Sequence, residues 1–400
     1  MMITVNAAQK IIFKHVQHFP SEFCPLKEAD GRILREDIRS DRDQPPFDKA
    51  LMDGIAVSSR AAFGEPRQIF FEMGRAVAKV FPIDGIAAAG DKPLTVKHKD
   101  HCVRIMTGAV VPKGYDCVIP VEKVMFRQGK AVLKQGVIAK PGQNIRPRAA
   151  DVRRGDIVLK KGTRLLPVHI GIAASVGRTK VKVAQRPRVA VVATGDELVD
   201  IGKPLAFYQT RLSNSYALRA ALEQTGLCRV KMFHFPDDPK KILKGLRAVC
   251  RDFDVIVLSG GVSMGEFDHV PKVLSRMKVK KLFHKVAQKP GKPFWFGRTR
   301  DGKPVFALPG NPVSTLVCAY RYVIPYIDRA CGVKIPQKYV ALKGKVNWKT
   351  DLTCFVPVQD GSPVDFGGSG DFTALRNADG FIQYEHGKKQ TLWPYFSWRP

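Results

Sequence analysis

Apolar residues recur at helical spacing near the start of the chain and in short runs further along. Ala8, Ile11, Ile12 and Val16 predict an amphipathic helix. Residues 43–140 instead carry short β-branched runs broken by glycine and proline, a pattern typical of a small all-β domain. A mixed α/β pattern returns after residue 140. We expect that segment to pack on the N-terminal helix, which would make the β domain an insertion.

Strand and helix patterns alternate from residue 188 to residue 331. The runs RVAVVA, CRVKMFHF, DVIVLSGG and PVFALPG predict strands. Between them we expect one helix with Ser213 as its N-cap and Gly226 as its stop, and another capped by Asp238. This repetition predicts a parallel sheet covered on both faces. The tail is glycine-rich, aromatic and short-stranded, and it predicts a small β-barrel or sandwich.

The length and composition of the chain favour several domains in a soluble, cytoplasmic protein. The chain has 400 residues, of which 44% are hydrophobic, which is more than one compact unit usually holds. The N-terminus lacks the apolar core and cleavage site of a signal peptide, and no apolar run is long enough to span a membrane. The eight cysteines lack zinc-ligand spacing and are expected to be buried thiols in a reducing compartment.

The charge is strongly positive. There are 66 Lys+Arg against 36 Asp+Glu, a formal net charge of +30. Nucleic acid, an acidic membrane surface or anionic small molecules could each exploit this charge. The sequence lacks zinc-finger spacing, an RNP-like aromatic pattern and a basic arm, so sequence-directed nucleic-acid binding is disfavoured. A generally cationic surface is the simpler explanation.

Four loops that follow the predicted strands share small and acidic residues. In a doubly wound sheet ligands bind beyond the carboxyl ends of the strands, and glycines there expose N–H groups to phosphate. Because carboxylates do not bind phosphate directly, we expect Mg²⁺ between the acidic residues and a phosphate group. Each loop alone also suits ordinary turns and caps, but four at one edge favour a binding site. The residues are Thr194, Gly195 and Asp196; Asp237; Ser259, Gly260, Gly261, Ser263, Gly265 and Asp268; and Pro309, Gly310, Asn311 and Ser314.

Two further segments carry candidate chemistry. Lys285, Lys289 and Lys292 lie on a proline-stiffened loop that suits an oxyanion or a diphosphate, although a solvated basic loop explains the spacing equally well. In the N-terminal half, Asp53 and Thr107 lie beside glycine turns, where they are either part of a site or simple hairpin residues.

Taken together, these segments resemble the MoeA family, which includes the E domain of gephyrin. PPFDKALMDGIAV, RIMTGAVVPKGYD, GQNIR, TGDEL, SNS, SGGVSMGEFD, KPGKP and LPGNPVS occur in the family's order, and the likeness extends over residues 8–382. It implies a multidomain α/β and β fold containing a MogA-like α/β domain with a parallel-rich sheet. The implied domains are an elongated N-terminal mixed domain (1–42 with 141–180), an inserted β domain (43–140), a molybdopterin-binding α/β domain (181–332) and a C-terminal β-barrel (333–400).

The resemblance also implies an activity and the residues that carry it. The family reaction takes adenylated molybdopterin and molybdate, and releases AMP in a Mg²⁺-dependent step. By resemblance, Asp237 and Asp268 hold the metal or position water, and Lys285 and Lys289 neutralise phosphates or molybdate. Asp53, Thr107 and Ser369 also fall on family functional positions. The implied partners are a second copy in a homodimer, a molybdopterin adenylyltransferase and acceptor molybdoenzymes.

The sequence departs from the family pattern at several positions. Ala149 and Ala150 stand where many members have Gly-Glu, so a carboxylate often assigned to activity is missing; Ile55 and Ala50 replace a tyrosine and a serine. This leaves open a catalytically weak paralogue that carries pterin or docks partner enzymes, or one specialised for tungstate. The related molybdopterin adenylyltransferase resembles only the α/β part, so the additional β segments argue against it.

Overall fold

The computed structural model describes residues 2–63, 79–261, 269–333, 336–348 and 350–398. The chain forms two compact units. The first comprises residues 1–36, 161–170 and 179–400, and the second comprises residues 37–160 and 171–178. Both contain mixed sheets, as expected for a multidomain α/β and β fold. The four domain boundaries given above stay a prediction.

A six-stranded mixed sheet forms the core of the first unit. The first four strands in its order are parallel, and each of the last two is antiparallel to its neighbours. The parallel sheet is therefore confirmed for four strands, while the strands on either side of the basic loop form an antiparallel hairpin. The order is Arg229–Phe235, Arg188–Thr194, Val255–Ser259, Pro304–Leu308, Trp295–Arg298 and Lys280–His284.

The helices of this unit begin and end largely where the sequence predicts. The Asp238 side chain accepts hydrogen bonds from the amides of Lys240 and Lys241, which confirms it as an N-cap. Gly226 lies just past the Ser213–Gln224 helix in the left-handed region, with φ +69°, as a helix stop requires. Ser213 as N-cap is wrong, since Ser213 is already helical and Leu212 is the cap residue. The helices are Val5–Lys14, Ser213–Gln224, Pro239–Asp252, His269–Arg276, Pro312–Cys318 and Ile324–Ala330, with a π-helix at Ala319–Val323 and 3-10 turns at Leu26–Glu28 and Thr373–Asn377. Helix Pro167–Ser175 has residues in both units.

The N-terminal helix packs against the α/β core. Its buried residues Val5, Ala8 and Ile12 belong to the same hydrophobic cluster as Val191 and Phe306 of the sheet. Among the described residues, that cluster contains none from 141–180, and packing of that segment on the helix stays a prediction.

A second mixed sheet involves the C-terminal part of the chain. Its first pair of strands is parallel and the following pairs are antiparallel. The described pairing forms an open path, and closure into a barrel stays a prediction. The order is Gln288–Lys289, Thr353–Gln359, Gly380–Tyr384, Leu392–Ser397 and Lys338–Ala341, with Ser362–Pro363 beside the second strand. Two small pairs complete the unit: Ser21–Pro25 with Lys180–Ala184, and Leu198–Val199 with Thr210–Arg211.

The second unit is built on a six-stranded sheet with a hydrophobic cluster on each face. Ile55 and Val57 belong to one cluster, and their neighbour Ala56 belongs to the other, as the alternation of side chains along a strand requires. The sheet order is Cys117–Pro120, Gly54–Val57, Cys102–Ile105, Val80–Ala87, Lys130–Leu133 and Val124–Arg127. Further elements are the pairs Ile38–Arg39 with Ile157–Leu159 and Lys49–Ala50 with Ile145–Arg146, the helix Ser59–Phe63 and the 3-10 turn Val121–Lys123.

The expectation of buried thiols is borne out. All eight cysteines are free thiols; seven are buried, and Cys250 is half-buried. Within the described ranges, no helix has both the length and the apolar character needed to cross a membrane.

Candidate functional site

Three adjacent parallel strands of the α/β sheet end at the same edge. Ala193 pairs with Ser259 and Ser259 pairs with Leu308, so the residues that follow these strands emerge side by side. The structure therefore brings together the loops that begin at Thr194, Ser259 and Pro309. Val262 to Asp268, which include the candidates Ser263, Gly265 and Asp268, lie outside the described residues.

Glycines allow these loops to approach one another closely. The Gly260 amide donates to the carbonyl of Leu308 at 3.3 Å. A Cβ on Gly261 would lie only 2.6 Å from Thr194 Oγ1, and Gly261 has φ +65°. A Cβ on Gly310 would lie 3.6 Å from Gly260 Cα. A side chain at Gly261 would clash, so the contact between the first and second loops depends on this glycine.

Asn214 links two of the loops. Its Nδ2 donates to Ser259 Oγ at 3.1 Å and to the Gly310 carbonyl at 2.7 Å. Asn214 lies in the first turn of the Ser213–Gln224 helix and is not among the site residues predicted from sequence. The only local signal was the SNS run at the helix start.

Polar atoms with unused hydrogen-bonding capacity surround this link. Thr194 Oγ1, Asn214 Oδ1 and Ser215 Oγ are buried and have no hydrogen-bond partner among the described residues. Most buried polar atoms in proteins are hydrogen-bonded, and each exception needs an explanation. Three such atoms at one edge can bond to a polar ligand or to water.

Two of the predicted carboxylate residues meet beside these loops. The Asp237 amide donates to Asp196 Oδ1 at 3.2 Å. Gly195 contributes its carbonyl, which lies 2.8 Å from His234 Nε2. The Asp238 carboxylate serves as a helix cap instead, because the backbone amides of Lys241 and Lys240 donate to it and lower its pKa. Asp196 and Asp237 therefore both contribute carboxylates to this edge.

The fourth loop is joined to the C-terminal segment. Asn311 Nδ2 donates to Ser369 Oγ at 2.7 Å, and the Val313 amide donates to the Ser369 carbonyl at 3.1 Å. Thr315 Oγ1 donates to the Pro309 carbonyl at 2.6 Å and fixes the turn from inside, while Ser314 is buried beside it. Ser369, the last of the candidates along the chain, therefore lies at this loop.

The three lysines of the basic loop do not lie together. Lys285 follows strand Lys280–His284, which runs parallel to Pro304–Leu308 because each is antiparallel to the strand between them. Lys285 therefore emerges at the same edge of the sheet, with its backbone in the left-handed region at φ +73°. Lys289 instead belongs to the C-terminal sheet, and its Nζ lies 5.2 Å from the centre of the Trp348 ring. Lys292 is exposed.

In the second unit, Asp53 and Thr107 form a direct pair. Asp53 Oδ1 accepts hydrogen bonds from Thr107 Oγ1 at 2.6 Å and from the Thr107 amide at 2.7 Å. The hydrogen bond from the Thr107 hydroxyl lowers the pKa of Asp53 most, and the hydrogen bond from the Thr107 amide lowers it further. The two residues are 54 positions apart, and the pairing of Gly54 with Ile105 brings them together. The result is a carboxylate held ionised at the end of a strand.

The segment that departs from the family pattern is ordered by an ion pair. Arg146 Nε donates to Asp151 Oδ1 at 2.8 Å, and the Arg146 side chain lowers the pKa of Asp151. Ala149 has φ +62°, a left-handed conformation that favours glycine. Ala150 is exposed. The backbone here keeps a glycine-type turn even though alanine occupies it.

Known proteins resemble this chain along nearly its whole length. Residues 3–177 match the description "MoeA N-terminal region (domain I and II)", and residues 190–329 match "Probable molybdopterin binding domain". A molybdopterin molybdenumtransferase from Synechocystis is 35% identical over 99% of this chain and 100% of its own length. One from Haemophilus influenzae is 36% identical over 83% of this chain and 79% of its own length. A crystal structure of a molybdopterin biosynthesis MoeA protein from Pyrococcus horikoshii matches with a TM-score of 0.82, at 29% identity and 100% coverage of both chains.

Proposed function

The chain belongs to the MoeA family of molybdopterin molybdenumtransferases, and from this premise we propose that it inserts molybdenum into adenylated molybdopterin with release of AMP. It is an enzyme of molybdenum cofactor biosynthesis. The observation that carries the detailed proposal is the edge where Asn214 joins Ser259 to Gly310. Small loops, unpaired buried polar atoms and two carboxylates meet there, as a phosphate-bearing pterin requires.

The residues at this edge fit both a phosphate group and a magnesium ion. The unpaired Thr194 Oγ1 and Asn214 Oδ1 are oxygen atoms of the kind that Mg²⁺ and its bound waters contact, and Asp196 and Asp237 add carboxylates. Asp237, with Asp268 by family resemblance, would hold the ion, and Mg²⁺ would supply neutralisation of phosphate charge. Gly195, Gly260, Gly261 and Gly310 give the ligand access to backbone, and Lys285 adds positive charge for the anionic substrates.

Asp53 and Thr107 are proposed to act on the molybdate side of the reaction. Hydrogen bonds from Thr107 lower the pKa of Asp53, which favours the ionised carboxylate that can accept a hydrogen bond from a metal-bound hydroxyl and makes it a weak proton acceptor. The remaining proposals are the family ones: a homodimer in the cytoplasm, the four-domain layout, and exchange with an adenylyltransferase and acceptor molybdoenzymes. The likeness to the MoeA protein over both full chains supports membership of the family, and these proposals follow from that membership by resemblance alone.

A second candidate function is a carrier that binds the pterin without turning it over. Exposed Ala150 favours it, since the carboxylate that many family members have at this position is absent. The hydrogen-bonded pair of Asp53 and Thr107 and the described strand-end loops favour turnover over simple carriage.

The test is AMP release by the purified protein from adenylated molybdopterin, with and without Mg²⁺ and molybdate. We expect release that requires both. Asp237→Asn should slow it about 100-fold if that charge acts on the reacting phosphates, and the isosteric Thr194→Val should weaken substrate binding. Asp252→Asn, which removes an exposed carboxylate paired with Arg251, is the matched control and should leave the rate unchanged.

Two results would contradict the proposal. Tight pterin binding without AMP release would establish the carrier instead. Release that is insensitive to Asp237→Asn would place the chemistry elsewhere.

A further inference from the structure

A cluster of two histidines and an aspartate lies in the second unit. We propose that His98, Asp100 and His101 bind one divalent transition-metal ion of the Zn²⁺ class, with Asp84 orienting His101. One donor atom from each of the three residues lies within 4.8 Å of the other two. The two imidazole ring centres are 4.5 Å apart. A small closure of the side chains would bring all three donors onto one ion.

The backbone holds the two histidines together. The His101 amide donates to the His98 carbonyl at 3.3 Å and closes a tight turn. The hydroxyl of buried Tyr115 donates to the same carbonyl at 3.4 Å. His101 directly precedes strand Cys102–Ile105, so one end of the turn is fixed by the sheet.

Asp84 supplies an outer carboxylate of the kind that metal-binding histidines use. One of its oxygens lies 2.7 Å from His101 Nδ1, and the two side chains are only 18% and 24% exposed. Asp84 lies on strand Val80–Ala87, where Ile83 pairs with Cys102, so the sheet sets the positions of both partners. Donation of the Nδ1 proton to Asp84 leaves Nε2 of His101 as the metal ligand and fixes the orientation of the ring.

The donor set selects the class of metal. Two imidazoles and one carboxylate suit Zn²⁺, Cu²⁺ or Ni²⁺, whereas Mg²⁺ prefers oxygen ligands alone. Three protein donors leave one position open for water or another donor. Lys97 and Lys99 flank His98 in the sequence. Their positive charges repel a cation, so electrostatic attraction alone would not hold one here. Affinity would therefore depend on the imidazole donors.

This site goes beyond the proposed function and does not depend on it. All four residues belong to the unit formed by residues 37–160 and 171–178, and none is among the residues proposed to act on the pterin. The sequence signal is the spacing His98-x-x-His101 with Asp100 between the two histidines, and none of the three is among the site residues predicted from sequence.

Calorimetric titration of the full-length, chelator-treated protein with Zn²⁺ tests the proposal. We expect one ion per chain. The double variant His98→Ala/His101→Ala should lose this binding, and Asp84→Asn should weaken it about 10- to 100-fold. His386→Ala, at an exposed histidine outside the cluster, should bind as wild type does. Circular dichroism of each variant separates loss of the site from loss of the fold.

Spectroscopy gives a second, independent readout. Cu²⁺ bound at this site should show electron paramagnetic resonance couplings to imidazole nitrogen, and these should disappear in the double variant. The proposal is overturned if wild type takes up no Zn²⁺, or if the folded double variant binds it with unchanged affinity. The role of Asp84 is overturned if Asp84→Asn binds as tightly as wild type.

Discussion

Replacing Asn214 should loosen the edge of the sheet at which the proposed substrate binds. Asn214→Ala removes the hydrogen bonds to Ser259 Oγ and to the Gly310 carbonyl. Ser259 is 3% exposed, so its hydroxyl loses a partner where water has little access, whereas the exposed Gly310 carbonyl can turn to water. The two losses together cost about 2 kcal/mol. Alanine has the better helix propensity, which offsets about 0.5 kcal/mol of this cost. The net loss of unfolding free energy is therefore about 1.5 kcal/mol.

Asn214→Asp should be worse than Asn214→Ala. It exchanges the amide donor for a carboxylate oxygen and places that oxygen against the Gly310 carbonyl, which Nδ2 approaches to 2.7 Å in the wild type. We expect roughly twice the loss, because a charged acceptor is left facing an acceptor in a half-buried place. Turnover should fall in both variants, as Ser259 and Gly310 lie on proposed substrate-binding loops.

The assay is urea denaturation followed by circular dichroism, paired with AMP release at saturating substrate. Gln224→Ala is the control, since Gln224 is the exposed last residue of the same helix and its replacement should change stability by less than about 0.5 kcal/mol. If Asn214→Ala is as stable as this control, or if Asn214→Asp is as stable as Asn214→Ala, the link between the loops is not what holds this edge.

Three further predictions concern stability. Ala149→Gly should raise the unfolding free energy by about 0.5–1 kcal/mol, because it relieves a left-handed φ of +62°; a lower urea midpoint would contradict this. Gly261→Ala should lower it by about 2–3 kcal/mol, because its Cβ would lie 2.6 Å from Thr194 Oγ1; Gly171→Ala, in open space on a helix, should be neutral or stabilising. Burial raises the pKa of Asp328 to about 7, so its contribution to stability is fully present below about pH 4 and is lost as pH rises through about 7. The stability of Asp328→Asn relative to wild type should therefore increase by up to about 4 kcal/mol from pH 4 to pH 8; an unchanged difference in thermal midpoints would refute it.

The strand-end loops could be predicted from sequence because local patterns determine them. Alternating strands and helices imply parallel strands whose carboxyl ends share an edge, and Thr194, Ser259 and Pro309 do emerge side by side. The Asp238 cap and the Gly226 stop follow from local backbone chemistry in the same way.

Features that depend on tertiary pairing could not be predicted in this way. An apolar run does not reveal strand direction, so the antiparallel hairpin on either side of the basic loop was missed. The amphipathic pattern of the Val5–Lys14 helix shows that one face is buried, but it does not show which residues cover that face. In the structure the helix packs with the α/β core. Asn214 forms its bonds across 45 and 96 residues of sequence, which no local pattern reveals.

Molybdenum transfer is tested most directly by following labelled molybdate and AMP together in one reaction with purified protein, Mg²⁺ and adenylated molybdopterin. We expect one molybdenum to become bound to the pterin for each AMP released, and Asp237→Asn to slow both to the same extent. Release of AMP without molybdenum on the pterin would contradict this expectation, because the protein would then be a hydrolase of the adenylated pterin and not a molybdenum transferase.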